Sequence, residues 1–183
     1  MNSPDTPLTT PPAPLGREWI AAHIPHAGAM CLLDAVVAFD DERIRCTATS
    51  HLDADNPLRA NGRLAAVCGI EYAAQAMAVH GAVLDAVVDA VLDAVPGAGP
   101  GAVPGAVRER PRVGYLASVR SVEAYVERLD DLDAPLTIEA ERVSGDTHTI
   151  LYRFAIHCGA RLILAGRAAV MLDANANPKG TTA

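Results

Sequence analysis

The sequence predicts an α+β domain in which a curved antiparallel sheet wraps around one long central helix. Residues 65–95 have a helix-favouring composition, two strand-like runs precede them, and four strand-like runs follow. A helix with small residues on its buried face and a sheet long enough to curl round it form a self-consistent core. Such a sheet leaves an edge, and we expect a second subunit to pair with it there.

The elements before the long helix are short. Residues 17–23 predict a helix that stops near Pro25. Residues 31–39 are apolar and residues 44–49 alternate apolar with polar, so a turn at "DDE" joins two strands. Residues 50–62 are rich in Asp, Asn, Pro and Gly and predict a loop.

The long helix contains two glycines, Gly69 and Gly81, each of which costs about 1 kcal/mol relative to Ala in a helix. Helices tolerate this cost where another part of the fold approaches closely, so we expect tight packing at both positions. Further along, "DAVVDAVLDAV" places Asp85, Asp89 and Asp93 on one stripe of the helix, where they are expected to face water.

Four runs with strand character follow the helix, separated by turn sequences, at residues 114–128, 135–143, 149–158 and 161–172. The Pro/Gly/Ala-rich residues 96–107 predict a loop insertion. The domain organisation expected from this is a disordered lead at 1–15, a single domain at 16–173 and a disordered tail at 174–183.

Composition narrows the possible classes of protein. The formal net charge of −7 is not that of a nucleic-acid binder, and aspartates interrupt the longest apolar run, residues 82–95, so no membrane partner is expected. The sequence therefore predicts a cytoplasmic protein. Four dispersed cysteines give neither a zinc motif nor a disulfide framework, so free thiols are expected: Cys31, Cys46, Cys68 and Cys158.

Two motifs bear a resemblance to a known family. "IPHAGAMCLLDAVV" (residues 24–37) is similar to the entry into the first strand of the hot-dog-fold β-hydroxyacyl-carrier-protein dehydratases, and "GIEYAAQAM" (69–77) to their central-helix signature. Together with "NPLRANGRL" (56–64) and "PRVGYLASVRSVEAYVERLDDL" (111–132), they most resemble the dehydratases of aryl-polyene pathways. The resemblance spans residues 16–173 and implies the hot-dog fold.

The resemblance implies dehydration of a carrier-protein-bound 3-hydroxyacyl thioester to the trans-2-enoyl thioester, in fatty-acid or polyene-type biosynthesis, without a metal or organic cofactor. Glu71 is then expected to be the acid, with a pKa raised by burial; as a first-turn residue it could instead only complement the helix dipole. Gln75, one turn on, could orient that carboxylate or tie helix to sheet. Gly69 could present its N–H to the thioester oxygen, or serve close packing.

The base is harder to assign, because the family's His-Phe-Pro histidine is missing from the matching residues 59–62. His51, earlier in the same loop, could take this role, and His26 in "PHAG" is a second candidate for the base that could instead be a structural hydrogen-bonding residue. Arg59 and Arg63 could contact an acidic acyl carrier protein or be ordinary solvated charges.

Two other functions remain open on the same fold. A thioesterase would use the carboxylate to activate water against the thioester carbonyl. A non-catalytic subunit would stabilise a catalytic hot-dog partner, which the missing histidine favours. The assembly could be a homodimer or a heterodimer with another hot-dog subunit.

Overall fold

The computed structural model describes residues 15–93, 113–146 and 148–173, together with Leu8, Thr10 and Pro11. In chain order the helices and strands are β1 (Leu15–Gly16), α1 (Arg17–His23), β2 (Ala35–Phe39), β3 (Arg43–Ala48), α2 (Gly69–Asp93), β4 (Val113–Ala124), β5 (Leu136–Gly145), β6 (Thr149–Cys158) and β7 (Arg161–Asp173). The predicted loop insertion at 96–107 and tail at 174–183 lie outside the described residues, as does most of the lead at 1–15.

The strands form one seven-stranded antiparallel sheet in the order β1-β2-β3-β5-β6-β7-β4. The predicted fold class is confirmed: one long helix packs on this sheet, and the fold is the hot-dog fold. The short helix and six of the strands lie where the sequence predicts them. The seventh, β1, was not predicted, because two residues carry no periodicity.

The first half of α2 lies in the core. Its small or apolar residues Tyr72, Ala73, Ala76 and Val79 are fully buried, and the helix contacts β3, β5 and β6. At Gly69 a Cβ atom would lie 2.8 Å from Leu164 Cδ2. This glycine therefore permits the close helix–sheet approach that the sequence predicted.

The second half of α2 extends beyond this packing. Asp85 and Asp89 are exposed, as predicted, and so are Val88 and Val91. The expectation of tight packing at Gly81 is wrong, because no atom lies within 4 Å of a Cβ built there. Gly81 lies on the exposed side of the helix, whereas Val83 just beyond it is still buried in the core, and the sequence could not show which side of the helix this glycine occupies.

One helix in the described part of the chain, Ala66–Val91, is long and apolar enough to cross a membrane by length and composition alone, with a mean hydropathy of 1.3. Its first half supplies side chains to the core of the sheet, which accounts for its apolar composition. The core helix of a globular fold passes the same test.

All four cysteines are free thiols, as predicted. Cys31 and Cys46 are buried, and burial raises the pKa of the Cys46 thiol to about 12. Cys68 and Cys158 are half-buried.

Candidate active site

A 3-10 turn and two backbone hydrogen bonds hold the start of α2 in place. A short 3-10 turn, Ala66–Cys68, leads directly into the helix. Before it, the Ala66 N–H donates to the Glu127 carbonyl at 3.0 Å and the Leu129 N–H donates to the Leu64 carbonyl at 2.8 Å. These bonds join the helix entry to the segment that follows β4, so the first turn of α2 has a defined position.

Gln75 ties this first turn to the segment before β2. The Leu32 N–H donates to Gln75 Oε1 at 2.9 Å, and Gln75 Nε2 donates to the Met30 carbonyl at 2.8 Å. The second Nε2 hydrogen is directed to Glu71 Oε1, 3.0 Å away. The side chain is fully buried and uses both ends of its amide: it contacts the Glu71 carboxylate, and it ties the helix to the segment before β2 rather than to the sheet itself.

Glu71 has one bonded oxygen and one open oxygen. Oε1 accepts from Gln75 and lies 3.1 Å from His26 Nε2. Among the described residues Oε2 has no hydrogen-bond partner, and it is not a buried atom. The Glu71 side chain is 31% exposed. The site therefore presents a half-buried carboxylate with one oxygen available to a ligand.

The pKa of Glu71 is lowered from its ordinary value, whereas the sequence predicted a raised one. The hydrogen bond from His26 lowers it, more strongly than burial raises it, and the Gln75 amide lowers it further. The sequence-based expectation of a raised pKa is therefore wrong for the single chain, because it assumed an apolar pocket without donors. Glu71 is an ionised carboxylate near neutral pH.

His26 is brought to Glu71 by the turn between α1 and a 3-10 turn at Gly28–Met30. An ionised carboxylate can only accept, so Nε2 carries the proton that faces Glu71. The other ring nitrogen, Nδ1, is buried and has no partner among the described residues. His26 was predicted to be either a candidate base or a structural hydrogen-bonding residue, and the structure places it in contact with the candidate acid.

Among the described residues, His51 forms no hydrogen bond or ion pair with Glu71. It belongs to a 3-10 turn at Ser50–Leu52, is fully buried, and neither ring nitrogen has a hydrogen-bond partner in the described part of the chain. Burial lowers the pKa of His51, while the Leu132 and Ala134 carbonyls oppose this shift. The expectation that His51 serves as the base beside Glu71 therefore finds no contact within one chain to support it, because its ring points into the protein.

Two further expectations can be compared with the geometry. The Gly69 N–H is directed to the Ala66 and Val67 carbonyls, so its expected role as a donor to a thioester oxygen is not available, and close packing is its role.

Arg59 is only 14% exposed. Its guanidinium donates a hydrogen bond to the Asp53 carbonyl at 2.7 Å and lies 3.2 Å from Asp130 Oδ2. Arg59 thus braces its own loop, which does not fit the expected contact with a carrier protein.

Arg63, by contrast, is exposed, and its side chain has no partner among the residues described. The expectation that it contacts a carrier protein stays a prediction.

A buried polar network beside the site was missed. Ser50 Oγ donates to the Leu32 carbonyl at 2.7 Å and lies 3.0 Å from the Tyr72 hydroxyl, which accepts from Asn56 Nδ2 at 3.1 Å. One feature of the sequence indicated this network, the tyrosine at position 72 directly after Glu71.

Ser50 and Asn56 also line a cavity of about 190 Å³, together with Arg17, Ala29, Asp53, Asp55 and Pro57. Ligand pockets usually measure roughly 300–1,000 Å³, so this cavity is smaller than a typical ligand pocket.

No group of three or more His, Cys, Asp or Glu side chains that could hold a metal ion occurs within the described residues. What the arrangement can do chemically is accept and return a proton at Glu71 Oε2, while two donors hold Oε1.

Comparison with known proteins supports a dehydratase-type function. Residues 18–90 match the ApeP-like family, described as ApeP dehydratase. No curated protein matches the sequence significantly. The dehydratase heterocomplex ApeI:P from Xenorhabdus doucetiae is a solved structure with 20% identity and a TM-score of 0.62, covering 84% of this chain and 90% of that one. At this identity the likeness shows the fold.

Two other solved structures are less similar. A mutant thioesterase from Pseudomonas aeruginosa has 13% identity, covers 76% of this chain and 80% of its own, and has a TM-score of 0.44. The PaaI protein of the Escherichia coli phenylacetic acid degradation operon has 10% identity, covers 74% and 80%, and has a TM-score of 0.47. Neither score supports a conclusion about function.

The matched segment contains Glu71, Gln75 and His26, the three side chains that the fold brings together. The family match gives a dehydratase-type function as the coarse assignment, and the chain's resemblance to the hot-dog dehydratases of the aryl-polyene type is confirmed.

Proposed function

We propose that this chain dehydrates a 3-hydroxyacyl thioester, held on the phosphopantetheine arm of an acyl carrier protein, to the trans-2-enoyl thioester, with Glu71 as the proton-transferring group. The observation that carries the proposal is the carboxylate itself: Oε1 is held by His26 and Gln75, and Oε2 is open. The match to a dehydratase family over residues 18–90 supports the reaction class.

The lowered pKa sets the direction of proton transfer. Ionised Glu71 accepts the α-proton on Oε2, the Cα–H electron pair forms the new double bond, and the Cβ–O bond breaks. The protonated carboxyl then returns the proton to the departing hydroxyl, which leaves as water. The two donors to Oε1 fix the carboxylate before the substrate arrives, and a positioned acid–base group of this kind contributes about 10²–10⁴ in rate.

We propose that the working unit is a dimer formed across β4. This strand pairs with β7 on one side, and its other side has no strand partner among the described residues. Tyr115, Leu116 and Val122 on it are exposed apolar side chains. Proteins rarely leave such an edge uncovered. The partner is a second copy or another hot-dog subunit, and the relative from Xenorhabdus doucetiae is a heterocomplex.

A second candidate function, that of a non-catalytic subunit supporting a dehydratase partner, is favoured by one observation. His51, the histidine that the loop offers in place of the missing family histidine, is buried and makes no hydrogen bond to Glu71. In that case Glu71 and Gln75 hold the fold for the partner. Either way we place the protein in fatty-acid or aryl-polyene-type biosynthesis in the cytoplasm.

The test is an assay of the purified chain, alone and mixed with a separate hot-dog dehydratase subunit, on a 3-hydroxyacyl carrier protein, following the ultraviolet absorbance of the enoyl product. We expect Glu71→Gln to lower the rate by at least about 100-fold. The matched control is Asp89→Asn, which removes a charge from the exposed part of the same helix and should leave the rate unchanged.

The outcomes separate the alternatives. Equal rates for wild type and Glu71→Gln exclude Glu71 as the proton-transferring group. A chain that is inactive alone, and whose Glu71→Gln variant supports the partner as well as wild type does, is a supporting subunit. Release of a free thiol without enoyl absorbance identifies a thioesterase.

The pH profile provides an independent readout. Because the pKa of Glu71 lies below its ordinary value of 4.5, kcat/KM should stay level through neutral pH and fall only on the acid side below that value. A loss on the alkaline side of about pH 6 instead would mean that the carboxyl group works in its protonated form, contrary to the mechanism above.

A further inference from the structure

Three arginines lie side by side on the outer face of the sheet. Arg153 of β6 is directly opposite Arg167 of β7, which is directly opposite Arg120 of β4. All three are exposed. Directly opposed residues on neighbouring strands have Cβ atoms roughly 4.5–5.5 Å apart, so these three charges form a continuous row.

The positive charge of this row is only partly offset. Arg153 lies 3.6 Å from Glu141 Oε2, in a pair with both side chains about half exposed. Arg120 and Arg167 have no hydrogen-bond or ion-pair partner among the described residues. Like charges directly opposite each other destabilise a sheet, so the fold gains nothing from this arrangement.

Glu141 is directly opposite Arg153, and the next carboxylate on β4 does not neutralise the rest of the row. Glu123, in the next row of β4, lies opposite Ala165, and its Oε2 accepts a hydrogen bond from the Tyr125 hydroxyl. The whole chain carries a formal charge of −7, so a row of arginines in which two have no ion-pair partner among the described residues stands out against its acidic surface.

The residues bordering the row are small or apolar. On one side Ala155 lies opposite Ala165, and on the other Leu151 lies opposite Ala169. Leu151 is 45% exposed, and Met171, two residues beyond Ala169 on the same face, is 54% exposed. The alanines let the guanidinium groups stand clear of the sheet, beside an apolar strip that can be buried against a flat partner.

We infer that this arginine face, made of Arg120, Arg153 and Arg167 with Leu151 and Met171, docks an acidic, partly apolar segment of another protein. Carboxylates complement the guanidinium row, and apolar side chains cover the strip. A second copy of this chain that docked through this same face does not fit, since it would present the same positive row. Nucleic acid and anionic membranes are disfavoured by the net charge of −7 and by the apolar strip.

The face is separate from the candidate active site, because its residues alternate along the strands with the buried ones that pack on α2. Tyr152 and Phe154 flank Arg153 and are buried, as is Ala168 beside Arg167. The inference therefore does not rest on the dehydratase proposal, and it can fail while that proposal holds.

The test uses a labelled synthetic helical peptide of about 18 residues that carries Glu on one flank and Leu on the adjacent flank, with binding followed by fluorescence anisotropy. We expect binding to the wild-type protein that weakens from about 50 mM to about 300 mM salt. Arg120→Glu/Arg167→Glu should weaken it by at least about tenfold.

The matched control is Arg161→Glu, which reverses an exposed arginine at the start of β7, away from the arginine face, and should bind the peptide like wild type. The milder Arg120→Gln/Arg167→Gln variant, verified by circular dichroism, should also weaken binding, so the result does not depend on charge reversal. Equal affinity for the Arg161→Glu and Arg120→Glu/Arg167→Glu variants, or no binding by wild type, would overturn the inference. Tighter binding to phosphatidylglycerol vesicles or to single-stranded DNA than to the peptide would overturn it too.

Discussion

The two halves of α2 contain the same kinds of residue, and the sheet gives them different roles. The first half has Gly69 and Glu71, and the second has Gly81 and Asp89. Gly69 lies against buried side chains of the sheet, while Gly81 has open space around it. Oε1 of Glu71 accepts hydrogen bonds from Gln75 and His26, while Asp89 is on the exposed face.

This contrast shows that the surroundings, and not the residue type, decide what a helical carboxylate can do. A carboxylate gains a shifted pKa and a fixed orientation only where neighbouring elements supply donors and exclude water. In α2 these conditions hold in the first turn, where the segment before β2 crosses the helix and contributes His26 and the backbone partners of Gln75.

The sharpest test of the contrast is Gln75→Leu against Asp89→Leu. Removing the Gln75 amide leaves the Leu32 N–H and the Met30 carbonyl without their partner, so the free energy of unfolding should fall by about 3 kcal/mol. The Asp89→Leu control should change it by less than about 0.5 kcal/mol. Urea unfolding measures both, and similar values for the two variants would refute the contrast.

The two glycines provide the next test. At Gly69 an added Cβ would lie 2.8 Å from Leu164 Cδ2 and 3.0 Å from Ile156 Cδ1, and both side chains are fully buried. Overpacking costs about 1–3 kcal/mol and the helix propensity of Ala returns about 1, so Gly69→Ala should destabilise by about 1 kcal/mol.

Gly81→Ala, with open space around it, should stabilise by up to about 1 kcal/mol. Thermal unfolding of the two variants should therefore shift in opposite directions. Shifts of the same sign would show that the structure assigns the packing of one glycine wrongly.

The smallest expected effect concerns His80, between the two halves. It is fully buried: Nε2 donates to the Asp40 carbonyl at 2.8 Å, and Nδ1 accepts from the Tyr152 hydroxyl at 3.1 Å. Burial lowers the pKa of His80 below its ordinary value of 6.5. Below that pH the unfolded chain binds a proton that the folded chain excludes, so stability is lost as pH falls from 6.5 towards the folded pKa.

Each such histidine contributes a slope of up to about 1.4 kcal/mol per pH unit. Urea unfolding at about pH 7 and about pH 5.5 should show a smaller stability difference for His80→Gln than for wild type. His23→Gln, at an exposed position of α1, should keep the wild-type difference. If the stability of His80→Gln changed between the two pH values as much as that of wild type, His80 would not take up a proton on unfolding in this range.

Sequence reasoning predicted the helix and six of the strands because periodicity and turn residues are local signals. It selected Glu71 and Gln75 because "GIEYAAQAM" resembles the central-helix signature of the dehydratases, and their spacing placed them on one face of the helix. It could not identify the His26 contact, because that depends on how a distant segment crosses the helix start. The burial of His51 and the inward course of Arg59 depend in the same way on side-chain direction, which a loop sequence does not encode.

Gln75 contacts residues 30 and 32 through their main chain alone. Mutation can therefore exchange the side chains of Met30 and Leu32 without removing either hydrogen bond to the amide. Leu32 is fully buried in the core and is therefore constrained by packing, whereas Met30 is only half-buried. Relatives with this site should vary in sequence at position 30 while retaining Gln75, and searches that require a fixed residue there would overlook them.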